Sequence, residues 1–162
     1  MSRSCLLCGV GGQGVVLASR LIAYAAMEQG DFVRTTETIG LAQRGGSVVS
    51  HVRAGENVHS PLIPFGCADV ILAFEPGEAV RCLPYLKEDG VVITNSRIVK
   101  PVTATLGGSG YTADTMLDYL KEKAGRLLVI DGEAICREAG SPKVLNVAVP
   151  GAAAKSGALG IS

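Results

Sequence analysis

The chain is predicted to fold as an α/β domain, a Rossmann-like three-layer sandwich on a mostly parallel sheet with an added antiparallel hairpin. Three observations carry that prediction. Short runs rich in Val, Ile and Leu alternate with longer segments of helical period, as in successive βα units. A glycine-rich loop, Gly9-Val10-Gly11-Gly12-Gln13-Gly14, separates the first apolar run from the first helical one. Residues 47–53 then switch to strict two-residue alternation, the period of a strand with unlike faces.

Residues 4–8 read as the first strand. Residues 15–29 read as the following helix, with Leu17, Leu21, Ile22 and Ala25 on its inward face and Gly30 as the stop. A second strand is expected over 31–36, lying beside the first. Residues 37–46 hold three glycines and an arginine with little periodicity, so they read as a functional loop with at most one helical turn. In 47–53, Val49, His51 and Arg53 share one face and Val48, Ser50 and Val52 the other. Gly55-Glu56-Asn57 would then turn the chain into an antiparallel hairpin.

Residues 68–75 are almost wholly apolar, as a strand covered on both faces should be, and Pro76 opens the next helix, where its missing N–H is harmless. Residues 90–95 form another such strand. Residues 101–110 look irregular. A helix is expected over 112–123, with Thr112 as its cap and Met116, Leu117 and Leu120 inward, followed by a strand over 126–131. Small apolar residues fill 146–162, and Ala152-Ala153-Ala154 with Ala158-Leu159 could form a helix against the glycine loop.

At 162 residues, 48% of them hydrophobic, the chain can bury one core without disulfide or metal staples. Some of that apolar surface is expected to be covered by another chain. Fifteen basic residues balance fifteen acidic ones, which removes the electrostatic footprint of a nucleic-acid binder. The longest apolar runs, at 70–74 and 127–130, fall far short of the roughly 20 residues of a membrane span. No extended signal-type apolar region precedes the glycine loop, so a cytoplasmic location is expected. Five scattered cysteines fit reduced thiols used as small hydrophobes.

The glycine loop could let backbone N–H groups approach an anion at a helix N-terminus, which makes Gly11, Gly12, Gln13 and Gly14 candidate ligand contacts. Tight strand-to-helix packing is the plainer alternative. A nicotinamide enzyme needs an acid at the end of the second strand, yet that place reads Arg34-Thr35-Thr36, with Glu37 the only late candidate. Arg44, between Gln43 and Gly45-Gly46, puts an always-charged fork in a glycine-lined loop and so suits a phosphate, a carboxylate or a partner. A surface ion pair with Glu37 is the competing reading. Thr36, Glu37, Thr38 and Ser47 flank Arg44 and could supply hydroxyls and a carboxylate to the same site.

Glu75 and Asn95 close buried strands at the edge where α/β sheets bind ligands, although Glu75 reads equally as an acid complementing a helix dipole. Cys5 and Cys8 form a CxxC pair, but three residues apart on a strand they face opposite sides. His51 and His59 lack acidic partners at ligand spacing and read as surface or interface positions. No residue is assigned a catalytic role, and no metal-ligand set is read.

Taken in order, the runs Gly9–Gly14 (GVGGQG), Thr36 to Ser47 (TETIGLAQRGGS), Ser60-Pro61-Leu62-Ile63-Pro64, Ala68-Asp69-Val70 and Ala73-Phe74-Glu75-Pro76 resemble the small (β or γ) subunit of 2-oxoacid:ferredoxin oxidoreductases, most closely the indolepyruvate type. The resemblance covers nearly the whole chain, read as a single domain of the γ type over 1–162 that lacks the family's polar helical tail. It implies a larger catalytic partner carrying thiamine diphosphate and iron–sulfur clusters. Together they would decarboxylate an aryl pyruvate, pass the acyl group to coenzyme A and send electrons to ferredoxin. By itself this chain is then expected to be inactive and to form a homo-oligomer. Two other readings stay open: a free-standing dinucleotide-binding oxidoreductase, and an assembly module without catalytic involvement.

Overall fold

The computed structural model describes residues 2–39, 45–101, 104 and 110–160. Strands β1 (Arg3–Val10), β2 (Val33–Ile39), β3 (Ser47–Ala54), β4 (Ala68–Ala73), β5 (Leu86–Asn95) and β6 (Arg126–Ile130) form one sheet in the order β2-β3-β1-β4-β5-β6. The pairs β1–β4, β4–β5 and β5–β6 are parallel, whereas β3 runs antiparallel to both β1 and β2.

Helices α1 (Val15–Glu28) and α5 (Leu145–Lys155) pack on one face of the sheet, and α2 (Pro76–Cys82) and α3 (Ala113–Lys123) on the other. The short α4 (Gly132–Glu138) follows β6 and packs beside α5. The strand alternation sorts the core into two layers: Cys5 and Leu7 join Ile22 and Val149, while Leu6 and Cys8 join Ala79 and Leu120. Because helices cover both faces, β1 and β4 need apolar side chains at nearly every position, which is why they read as continuous runs. Each such side chain removed from water contributes roughly 1.5–3 kcal/mol.

Helix α1 begins after Gly14 and is followed by Gly30, which has φ 89°. Its buried residues are Val15, Ala18, Ser19, Ile22 and Ala26. The inward stripe is therefore rotated from the expected one, and Leu17 and Leu21 stay 49% and 40% exposed. Small side chains at 18, 19 and 26 let the helix lie close on the sheet, and the larger leucines are turned outward.

Two expectations about the first half of the chain change. Strand β2 does not lie beside β1, because β3 is inserted between them, pairing with β1 from Arg3↔Ala54 to Val10↔Ser47. The hairpin therefore joins β3 to the preceding β2, and the bend at 55–57 leads into an irregular segment rather than another strand. Arg53 holds that segment, donating from Nη1 to the carbonyls of Ser60 (3.0 Å) and Leu62 (3.2 Å).

Further along, the expected elements hold. The Thr112 side chain caps α3 by accepting from the Thr115 N–H at 3.3 Å, and Leu120 is its fully buried residue. In α5, Val149 and Ala153 are buried, and Leu159 beyond it returns to the core. Among the described residues, no helix is long and apolar enough to cross a membrane.

Candidate functional site

At the carboxyl end of β1 the chain folds back on its own glutamine. The Gln13 N–H donates to the Val10 carbonyl (3.1 Å), its Oε1 accepts from the Val10 N–H (2.7 Å), and its Nε2 donates to the Phe74 carbonyl (3.3 Å). Gln13 thus ties the loop after β1 to the end of β4, where the connections run in opposite directions along the sheet and α/β folds open a crevice. Gly14 adopts φ 83° and faces α5 so closely that an added Cβ would stand 2.8 Å from the Asn146 amide nitrogen. A left-handed conformation and this close approach both demand glycine there.

The glycine loop meets the chain entering β3, because β3 starts beside Val10: the Gly11 N–H donates to the Gly46 carbonyl at 2.8 Å. That bond also engages one of the backbone donors an anion would use. Gln43 and Arg44 lie outside the described residues; Gly45 has φ 76° and is exposed.

Ser47 opens β3 and donates from Oγ to Glu78 Oε2 at 2.5 Å, while Arg81 Nε sits 3.3 Å from Glu78 Oε1. Glu75 is fully buried. Its Oε2 caps α2 by accepting from the Glu78 N–H (2.9 Å), and its Oε1 accepts from the Tyr111 hydroxyl (3.0 Å) and the Val99 N–H (3.3 Å). Burial raises the Glu75 pKa above the ordinary 4.5, against the pull of those three bonds toward the charged form. The Tyr111 hydroxyl is pushed up as well, by burial first and then by Glu75. Gly77 is the gap that admits the phenol: a Cβ there would collide with the Tyr111 oxygen. Glu75 is therefore both the helix cap and a tether between two distant segments.

Asn95 ends β5, 2% exposed, and its Oδ1 accepts from the Gly132 N–H at 3.0 Å. It lines a cavity of about 700 Å³ that also touches Gln13. The structure thus gathers Gly11, Gln13, Gly14, Gly45, Ser47, Glu75 and Asn95 along the carboxyl edge of the sheet. Gly12 stands exposed at the tip of the loop.

Thr36, Glu37 and Thr38 do not join that group as one set. They belong to strand β2, which runs on through Glu37 and Thr38 where the sequence reads as a loop, and successive residues of a strand face opposite ways. Thr36 stands opposite His51 and Glu37 opposite Ser50, on different faces. His51, read as a surface or interface position, is 4% exposed: its Nδ1 accepts from the Ile63 N–H (3.1 Å), and its ring meets Tyr85 edge-on at 5.8 Å. Cys5 and Cys8 are buried in different core layers, as their spacing implies.

Glu78, Tyr111 and Asn146 were not singled out from the sequence. Glu78 had a legible signal, an acid three residues after the capping Glu75, whereas Tyr111 and Asn146 reach the edge only through tertiary contacts.

The family model described as pyruvate ferredoxin/flavodoxin oxidoreductase matches residues 4–162. The chain is 43% identical over 149 residues to indolepyruvate oxidoreductase subunit IorB of Thermococcus kodakarensis, covering 91% of this chain and 74% of that protein. It is 43% identical over 152 residues to the subunit of the same name from Archaeoglobus fulgidus, covering 93% and 75%. The crystal structure of pyruvate oxidoreductase subunit PORC from Thermotoga maritima superposes with a TM-score of 0.70 at 20% identity, over 98% of this chain and 78% of that one, a likeness of fold.

Proposed function

The chain belongs to the pyruvate ferredoxin/flavodoxin oxidoreductase family, and we propose from that premise that it is the small accessory subunit of an indolepyruvate-type 2-oxoacid:ferredoxin oxidoreductase. The observation that carries this reading is 41–43% identity, over at least 91% of the chain, to four proteins named indolepyruvate oxidoreductase subunit IorB. The complex would oxidatively decarboxylate aryl pyruvates to acyl-coenzyme A, with electrons passing to ferredoxin.

The residues described here do not fit an iron–sulfur cluster. Cluster ligands are thiolates converging on one point, whereas Cys5 and Cys8 lie in opposite core layers; burial pushes the Cys5 thiol up, and the hydrogen bond with Cys82, then burial, push the Cys8 thiol up, which keeps both protonated. The clusters and thiamine diphosphate are accordingly assigned to the larger subunit, and no step on this chain runs through them. What this chain contributes is a rigid sheet edge. Gly11, Gly12, Gln13 and Gly14, with Gly45, Ser47, Glu75 and Asn95, form the edge that would face the partner or a ligand the two chains share, and Gln43 and Arg44 are proposed to contact the same partner or ligand. Partner contact is the better reading of the glycine loop, because Gly46 takes the Gly11 N–H and the Gln13 side chain folds back over the turn.

The test is reconstitution with the larger subunit. Turnover of an aryl pyruvate should require both chains, and this chain alone should show none. Arg44→Ala should weaken assembly or coenzyme A affinity by about one to two decades, the scale of a lost charge-assisted pair. Full activity of the larger subunit by itself would overturn the reading.

A further inference from the structure

The cavity of about 700 Å³ opens at the carboxyl ends of β5 and β6. Its wall brings together three cations from two distant segments, Arg97 and Lys100 after β5 and Arg137 on α4. Glu133 pairs with Arg97, while Lys100 and Arg137 have no ion-pair partner among the described residues. Two positive charges thus border the opening uncompensated.

At the base stands Asn95, 2% exposed. Its Oδ1 accepts from the Gly132 N–H, and its side chain lines the cavity. Val99 and Leu145 supply apolar wall beside the cations. Volume, position beyond the strand ends and this mixture of apolar wall with a few polar groups match a small-molecule site.

We propose that this cavity binds a phosphate-bearing ligand of about mononucleotide size, its phosphate held by Arg137 and Lys100 with the Asn95 amide donating from below. Arg97, already paired with Glu133, orients the rim rather than making the main contact. The proposal stands on this chain's own residues and does not need the complex to be active.

Cys136 lines the same cavity and is half-buried, which gives a readout independent of turnover. With the full chain, ADP is expected to bind by calorimetry and to slow alkylation of Cys136 but not of the half-buried Cys67, which lies outside the cavity. Inorganic phosphate should compete more weakly; phosphate protecting as well as ADP would overturn the mononucleotide-size assignment. Arg137→Ala and Lys100→Ala should each weaken ADP by about ten- to a hundredfold.

Asn95→Asp keeps the acceptor for Gly132 but replaces the donor by a carboxylate, so it should weaken ADP at least as much without unfolding the chain. Should that variant fail to fold, Arg137→Ala and Lys100→Ala, both changes at exposed positions, still decide. No heat and no protection at millimolar ADP, or binding unchanged in the two cation variants, overturns the proposal. Because neither readout involves 2-oxoacid oxidation, its failure is separable from failure of the subunit assignment.

Discussion

Gly77 and Tyr111 show how a single residue type can be dictated by a contact distant in the sequence. Nothing local to α2 requires glycine at 77, where φ is not in the left-handed region; the requirement comes from the Tyr111 phenol, which occupies the space of a Cβ on its way to Glu75. Gly77→Ala is expected to destabilise the chain by about 1–3 kcal/mol, through overpacking and a displaced bond to a buried carboxyl. The double variant Gly77→Ala/Tyr111→Phe should recover part of that loss in urea unfolding, since removing the hydroxyl reopens the space. His51 supplies a pH prediction. Burial lowers its pKa below the ordinary 6.5, so below that value the unfolded chain binds more protons than the folded one. Stability should therefore rise with pH up to about 6.5 and be lost as pH falls through that window. His51→Asn, which keeps an acceptor for the Ile63 N–H but cannot titrate, should remove this component when unfolding midpoints at pH 5 and 7.5 are compared.

At the scale of elements, the helix starts were the most legible features, because caps are local. Thr112 was readable as the cap of α3 and serves as one. Thr112→Ala should cost about 1 kcal/mol and Thr112→Ser much less, measured by thermal or urea unfolding. Strand β2 was less legible. Its alternation is broken by Arg34, Thr35, Thr36, Glu37 and Thr38, polar on both faces, because it is the sheet edge and little covers it. Helix α1 was placed correctly but rotated wrongly, since Leu and Ala both count as apolar and the pattern does not say which size the sheet admits.

At the scale of the whole molecule, apolar surface remains open. Leu17, Leu21 and Tyr24 line the outer face of α1, and Leu62 and Phe65 stand out from the segment held by Arg53. Large apolar side chains exposed along one helix face, as on α1, mark interaction surfaces. Tyr24→Lys is expected to leave the unfolding free energy of the isolated chain within about 0.5 kcal/mol of the parent, as for an exposed site. It should reduce self-association of the isolated chain or its assembly with the larger subunit, followed by sedimentation; unchanged behaviour in both would exclude this face as an interface.

The sequence by itself determined the α/β class, the buried strands β1, β4 and β5, the glycine turn into α1, the cap of α3 and, through the order of its short motifs, the family. All of these are encoded within a few residues, by period, by a cap or by a run of fixed spacing. Only the tertiary structure decided that β3 separates β1 from β2, that Glu75 is tied to Val99 and Tyr111, and that Arg97, Lys100 and Arg137 converge around Asn95. A period tells which face of an element is covered, but not which neighbour covers it. Sheet order, set by the packing of all six strands and their helices, brings those distant residues together.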